Sequence, residues 1–267
     1  TAGDRDVFVW TLDAGGNFVR AYGLGGGGTD AGAGIAVDPQ GNAYIVGGIQ
    51  YGGDFDPTSG EFNLVSVGIG DLFVAKLNTD SAGEEGVVYS TYLGGSGSDP
   101  LDFGTIRDLH ETLALAVDNG GRVYVAGRTD SRDYPTTPGA WDRAYGDDFS
   151  KAFLSVLAPA AQAAEQLVYS TYLGGYSDAA SINDIVLAPS GSVWACGWTF
   201  SSSFPTTADA YQRQLIAPAF SANAFLACVV PDDSLPAAAQ LAYSTFLTGT
   251  NGALRCAMHS SGSLTVV

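Results

Sequence analysis

At 267 residues with a formal net charge of −17 and an isoelectric point near 4.1, the chain repels phosphate backbones, which argues against a nucleic-acid partner. Hydrophobic residues at 46% against 15% charged exclude a disordered chain, and 36 glycines without any long amphipathic helical pattern point to short strands joined by turns. No stretch approaches the roughly 20 apolar residues of a membrane span, and the start, TAGDRDVF, has neither Met nor a signal-peptide core, as expected of a processed chain or a fragment.

Residues 6–12 (DVFVWTL) and 18–24 (FVRAYGL) alternate apolar and polar across a short DAGGN turn, which predicts a hairpin. A first unit of four strands, A to D, is expected over 33–95: AGIAVD and AYIVGG joined through PQGN, then DLFVAKL and VVYSTYL. A second unit, 113–175, takes strands from 113–118, 123–127, 152–158 and 167–173, and a third, 184–248, from 184–188, 192–198, 224–230 and 241–247. Only an A strand (255–259) and a B strand (263–267) follow.

The pieces recur in one order. VVYSTYLGGSGSD at 87–99 returns as LVYSTYLGGYSD at 167–178, and more weakly as LAYSTFLTGTNG at 241–252 and FVRAYGLGGGGTD at 18–30. A period of roughly 70 residues marks a repeat architecture. The chain begins on the C and D half of a unit and ends on the A and B half, so three complete units plus two halves make four. The expected fold is all-β: a β-propeller of four-stranded antiparallel blades, four in number, whose closing blade joins 254–267 to 6–24 and so removes exposed sheet edges. A segment of a longer propeller is the alternative. Phe8, Phe73, Phe153 and Phe225 share one phase of the third strand and are expected to be buried equivalents.

The motifs VYSTYLGGSGSD, AVDxxGxxYVAG, DYPTTPGAW (133–141) with SFPTTADAY (203–211), and DLFVAKLN together resemble the bacterial SBBP (beta-propeller) repeat family over nearly the whole chain. The resemblance implies a propeller within a large secreted or surface protein and implies no activity. Residues 54–62 (DFDPTSGEF) depart from the PTT loop, and the family name suggests seven blades.

Chemistry is sparse. The two histidines, His110 and His259, lie in a loop and a turn with no nucleophile elbow elsewhere, so no catalytic residues are expected. The run GLGGGG at 23–28 precedes a strand, lacks the helix that would hold a pyrophosphate, and reads as a turn. Asp30, Asp99 and Asp178 occupy one repeat position, with Asn251 in the fourth; they cap their own turns or, as the sharper alternative, hold Ca²⁺. Cys196, Cys228 and Cys256 fall on strands as buried small residues, with a Cys196–Cys228 bridge the open alternative.

The B to C connections (49–70, 128–150, 199–222) are each about 20 residues long and share a face with the D to A loops, making that face the expected binding surface for protein or glycan. Its candidate residues are Asp99, Asp178, Tyr176, Trp141, Tyr134, Phe204 and Tyr211, the aromatics either stacking on sugars or packing between blades. The expectation is a non-enzymatic extracellular scaffold or binding module on a bacterial surface, capable of self-assembly into fibres. A lectin, or a polysaccharide-active enzyme working through the same face, is the alternative.

Overall fold

The computed structural model describes residues 5–50, 62, 68, 70–81, 86–99, 113–146, 150–175, 179–215, 221–247 and 255–267. β1 (Val7–Leu12) and β2 (Phe18–Leu24) form a hairpin. Three four-stranded sheets follow: β3 (Thr29–Val37) to β6 (Val87–Leu93) with β4 (Ala43–Gln50) and β5 (Gly70–Leu77) between; then β7 (Ala114–Val117), β8 (Val123–Thr129), β9 (Lys151–Leu157) and β10 (Leu167–Leu173); then β11 (Ala180–Leu187), β12 (Val193–Thr199), β13 (Asn223–Val229) and β14 (Leu241–Leu247). A second hairpin, β15 (Cys256–Met258) and β16 (Leu264–Val266), ends the described chain. Within every sheet each strand pairs antiparallel with its neighbour in sequence, the A to D order read from the repeats.

β3 and β11 begin four residues earlier than the alternation predicts, because each carries a bulge, between Gly32 and Gly34 and between Ile182 and Asp184. A bulge resets the two-residue period, so the segment before it loses phase with the segment after it. The turns behave as expected: Asp38 Oδ1 accepts the backbone N–H of Gln40 (3.0 Å) and Asn42 (2.9 Å), and Asp118 Oδ1 does the same for Gly120 and Arg122. In these two turns Gly41 and Gly121 take left-handed φ of 87° and 78°, which a Cβ disfavours.

The sheets stack face to face in chain order. One face of the first sheet (Tyr44, Val46, Leu72, Val74, Leu93) packs against Val123, Val125, Phe153 and Leu157 of the second. The far face of the second (Tyr124, Ala126, Leu154, Val156, Leu173) packs against Val193, Ala195, Phe225 and Val229 of the third. Burial on both faces explains why β5 and β9 are almost continuously buried although antiparallel. Phe73, Phe153 and Phe225 stand directly across from Gly47, Gly127 and Gly197. A Cβ on Gly47 would collide with the Phe73 ring and one on Gly127 would lie 3.3 Å from the Phe153 ring, so the glycine of the VGG and AGR motifs makes room for that ring, whereas at Gly197 of CGW a Cβ would strike the Ser181 carbonyl.

Two expectations are corrected, and one open alternative is decided. The fourth sheet joining 254–267 to 6–24 is not formed among the described residues: each terminal hairpin is a two-stranded sheet of its own. Each instead buries one face on the complete sheet beside it in sequence, β1–β2 through Val7, Val9, Tyr22 and Leu24 against Ile45, Phe73, Ala75 and Leu77, and β15–β16 through Cys256 and Val266 against Cys196 and Ala224. Phe73, Phe153 and Phe225 are fully buried, but Phe8 is 69% exposed: the register is right, and no sheet among the described residues covers it. Cys196 pairs across from Leu226 and Cys228 from Trp194, so the two cysteines are not opposite each other and all three thiols are free.

Candidate functional site

The D to A loops carry the recurring aspartates, and two of them are built alike. Asp30 Oδ2 accepts the N–H of Gly26 at 2.7 Å and Asp99 Oδ2 that of Gly95 at 2.6 Å, in both cases four residues back, so each caps its own glycine turn. Parallel bridges Arg5–Thr29 and Gly70–Ser98 fasten the loops to the strand before. Each loop also brings in a second carboxylate, Asp6 beside Asp30 and Asp71 beside Asp99, with Gly25 or Gly94 between them; a Cβ on either glycine would collide with both.

Asp99 goes further and clasps the next sheet. Its carboxylate accepts the Thr129 and Ser131 hydroxyls, the latter at 2.8 Å, while Ser96 donates to Asp133 through its N–H (2.7 Å) and hydroxyl (2.9 Å). Burial pushes its pKa up to about 6 against the pull of Thr129, Gly95 and Ser131, with the Asp71 charge adding to the rise. A carboxyl with three donors and almost no exposure is an inter-sheet fastener. At the position of Asp6 and Asp71 the second unit has Lys151, which is buried, donates to Asp142 (2.9 Å) and to the Ala144 carbonyl (2.6 Å), and lies over Tyr172. The signal of it in the sequence is a lysine at a repeat position that holds Asp6, Asp71 and Asn223 in the other units.

The YST and PTT motifs prove to be two halves of one device. Thr137 donates its N–H to the Ser170 carbonyl (3.0 Å), Ser170 returns its N–H to Thr137 Oγ1 (3.1 Å), and the Ser170 hydroxyl donates to the Pro135 carbonyl (2.6 Å). Thr207, Ser244 and Pro205 repeat the set at 3.0, 3.1 and 2.6 Å. Thr171 and Thr245 then accept the N–H of Asp142 and Gln212. The long B to C loop therefore runs along the outer strand and occupies backbone groups that an exposed edge would offer to another chain.

This arrangement decides the aromatic candidates. Tyr134 is buried against Phe153 (4.6 Å) with its hydroxyl on Ser155 (3.0 Å), and Phe204 is buried against Phe225 (4.3 Å), so neither presents a face to a sugar. Trp141 is half-buried beside the second interface, and Tyr211 alone among the four stands open, at 78% exposure. Tyr176 and Asp178, with His110 and Asn251, lie outside the described residues. His259 is exposed, its Nε2 2.8 Å from Thr265 Oγ1.

No cluster of three or more His, Cys, Asp or Glu suited to a metal occurs among the described residues. The two aspartate pairs are the nearest approach, and two carboxylates fall short of the six to eight oxygens Ca²⁺ takes. Missed from the sequence is a groove of about 540 Å³ between the A to B turns of the second and third sheets, lined by Asp118, Asn119, Tyr124, Leu187 and Pro189. There Tyr124 Oη donates to Asp118 Oδ2 at 3.3 Å, a bond that serves the turn itself. The chain matches no protein-family model and no curated protein.

Proposed function

We propose that the chain is part of a β-propeller scaffold of the SBBP kind, a non-enzymatic structural or binding module working outside a bacterial cell. The observation that carries this reading is the use of every recurring motif for construction. Asp99 ties sheet to sheet, the YST and PTT motifs seal the outer edge, and the Gly–Phe pairs fill the interfaces. The acidic charge keeps such a module soluble and repels anionic partners. A glycan-binding role would rest on Tyr211 with Trp141, because Tyr134 and Phe204 are spent inside. Negative-stain electron microscopy tests the scaffold: ring-shaped particles with a central axis support it, and extended or irregular particles refute it. Titration with a panel of neutral and acidic oligosaccharides, read by Tyr and Trp fluorescence, tests the glycan reading, and a response abolished by Tyr211→Ala would displace the purely structural one.

A further inference from the structure

We infer that Cys196 and Cys256 are a disulfide-forming pair, through which an external disulfide oxidant fastens the β15–β16 hairpin covalently to the third sheet.

The alternation of β12 sets one half of the pair. Val193 and Ala195 face the second sheet, so Trp194, Cys196 and Trp198 point to the other side. The two tryptophans are half-buried there, yet Cys196 is fully buried. What covers it includes the hairpin: Cys196 and Ala224 form a small cluster closed by Leu226, Leu247, Cys256 and Val266.

Separate contacts put Cys256 over Cys196. Asp184 on β11 stands directly across from Cys196, and Asp184 Oδ2 accepts the Cys256 N–H at 2.9 Å. The Cys256 thiol lies 3.9 Å from the carbonyl of Trp194, on the same strand as Cys196, and Arg255 Nη1 donates to the Asn183 carbonyl at 2.8 Å. Cα atoms of β15 come within 8 Å of Cα atoms on both β11 and β12, nearer than the about 10 Å between stacked sheets. A disulfide needs such closeness, with its Cα atoms roughly 4.4 to 6.8 Å apart. The hydrogen bond with the Cys256 thiol raises the pKa of Cys196, and burial adds to the rise, as expected of two sulfurs that face each other.

Cys228 is the rival partner and lies worse. It stands across from Trp194, diagonal to Cys196, and diagonal neighbours on one face are about 7 to 8 Å apart, beyond the span of a disulfide. Its thiol meets Ser192 instead.

The difference in exposure orders the chemistry. Cys256 is half-buried, so its thiolate attacks one sulfur of an external disulfide such as oxidised glutathione; that S–S bond breaks and the other sulfur leaves with the electron pair. Cys196 then gives up its proton to water and attacks Cys256 Sγ of the mixed disulfide, forming the S–S bond within the chain and expelling the second thiolate. Capping Cys256 first removes the thiol that held Cys196 protonated. In balance, two protein thiols are oxidised by two electrons, one external disulfide is reduced, and the two protons end on the two thiols released. The step lies within one sheet and the hairpin on it, so it requires no closed ring.

The test equilibrates the 267-residue chain with reduced and oxidised glutathione without denaturant, then alkylates it and digests it with trypsin. Cuts after Lys151, Arg213 and Arg255 leave each cysteine on its own peptide. Peptide 152–213 joined to 256–267, in a species that runs at 27.4 kDa on a non-reducing gel, is the expected result. Peptide 152–213 joined to 214–255, glutathione retained on Cys256 without a link, or a link seen only between two chains or only in urea would each overturn the pairing. Cys228→Ser should keep the link and Cys256→Ser should lose it; the opposite pattern overturns it as well. The linked chain should melt roughly 5 to 10 °C above the same sample reduced, and equal melting would overturn the fastening of the hairpin.

Discussion

Replacing Asp99 by Asn isolates a proton that the fold holds. Because the carboxyl sits at about 6 in the native chain against an ordinary 3.8, the native state binds a proton between those values that the unfolded chain has released. The sign follows: the contribution is fully present below about pH 4, falls as pH rises toward about 6, and is gone above it. At about 1.4 kcal/mol per tenfold in proton affinity, the two values differ by on the order of 3 kcal/mol. Asn resembles the protonated carboxyl, since its carbonyl still accepts the Gly95 N–H and the Ser131 hydroxyl while its amide can donate to the Thr129 oxygen. Urea unfolding of both proteins at intervals from pH 4 to 7.5 supplies the assay. Subtracting one curve from the other removes the general repulsion of an acidic surface, which acts on both. The wild type should lose about 3 kcal/mol relative to Asp99→Asn across this span. A difference that stays constant within about 0.5 kcal/mol would refute the picture of a buried, proton-holding fastener.

Phe153→Ala removes a fully buried ring from the first inter-sheet interface and should cost ~3 to 5 kcal/mol, while Phe8→Ala should stay within about 0.5 kcal/mol. Equal losses in chemical denaturation would show that the terminal hairpin is covered after all. Thr137→Ala breaks the clasp on Ser170 and its bond to Asp233 (2.8 Å); a loss of about 1 to 2 kcal/mol is expected, with faster hydrogen exchange along β10, and unchanged exchange would mean that the loop does not guard that edge. Cys196 is buried and its hydrogen bond with Cys256 raises its pKa, whereas Cys256 is half-exposed, so iodoacetamide should modify Cys256 first and Cys196 last by peptide mass mapping.

Much of the fold was legible because repetition and alternation are local signals. The four-strand units, their order, their tight turns and the shared phase of Phe73, Phe153 and Phe225 all follow from spacing along the chain. What escaped was set by partners distant in sequence. Nothing in the residues 133–141 announces that the PTT loop lies on the YST strand of its own unit, so Tyr134 and Phe204 stayed candidates for a binding surface although one aromatic per unit at a fixed place more often packs inside, where they sit. The bulges of β3 and β11 escaped for a related reason, since an extra residue erases the alternation that would betray it.

The sequence by itself determined an all-β chain of three like units with complementary half-units at its ends, because a two-residue period and a recurring turn need no knowledge of what packs on them. The tertiary structure alone decided which faces are covered. Phe8 and Phe73 occupy the same position in the same motif, yet one ring lies in water and the other in the core. Burial depends on the sheet that stands opposite, and the neighbour of a repeat is a property of the stack.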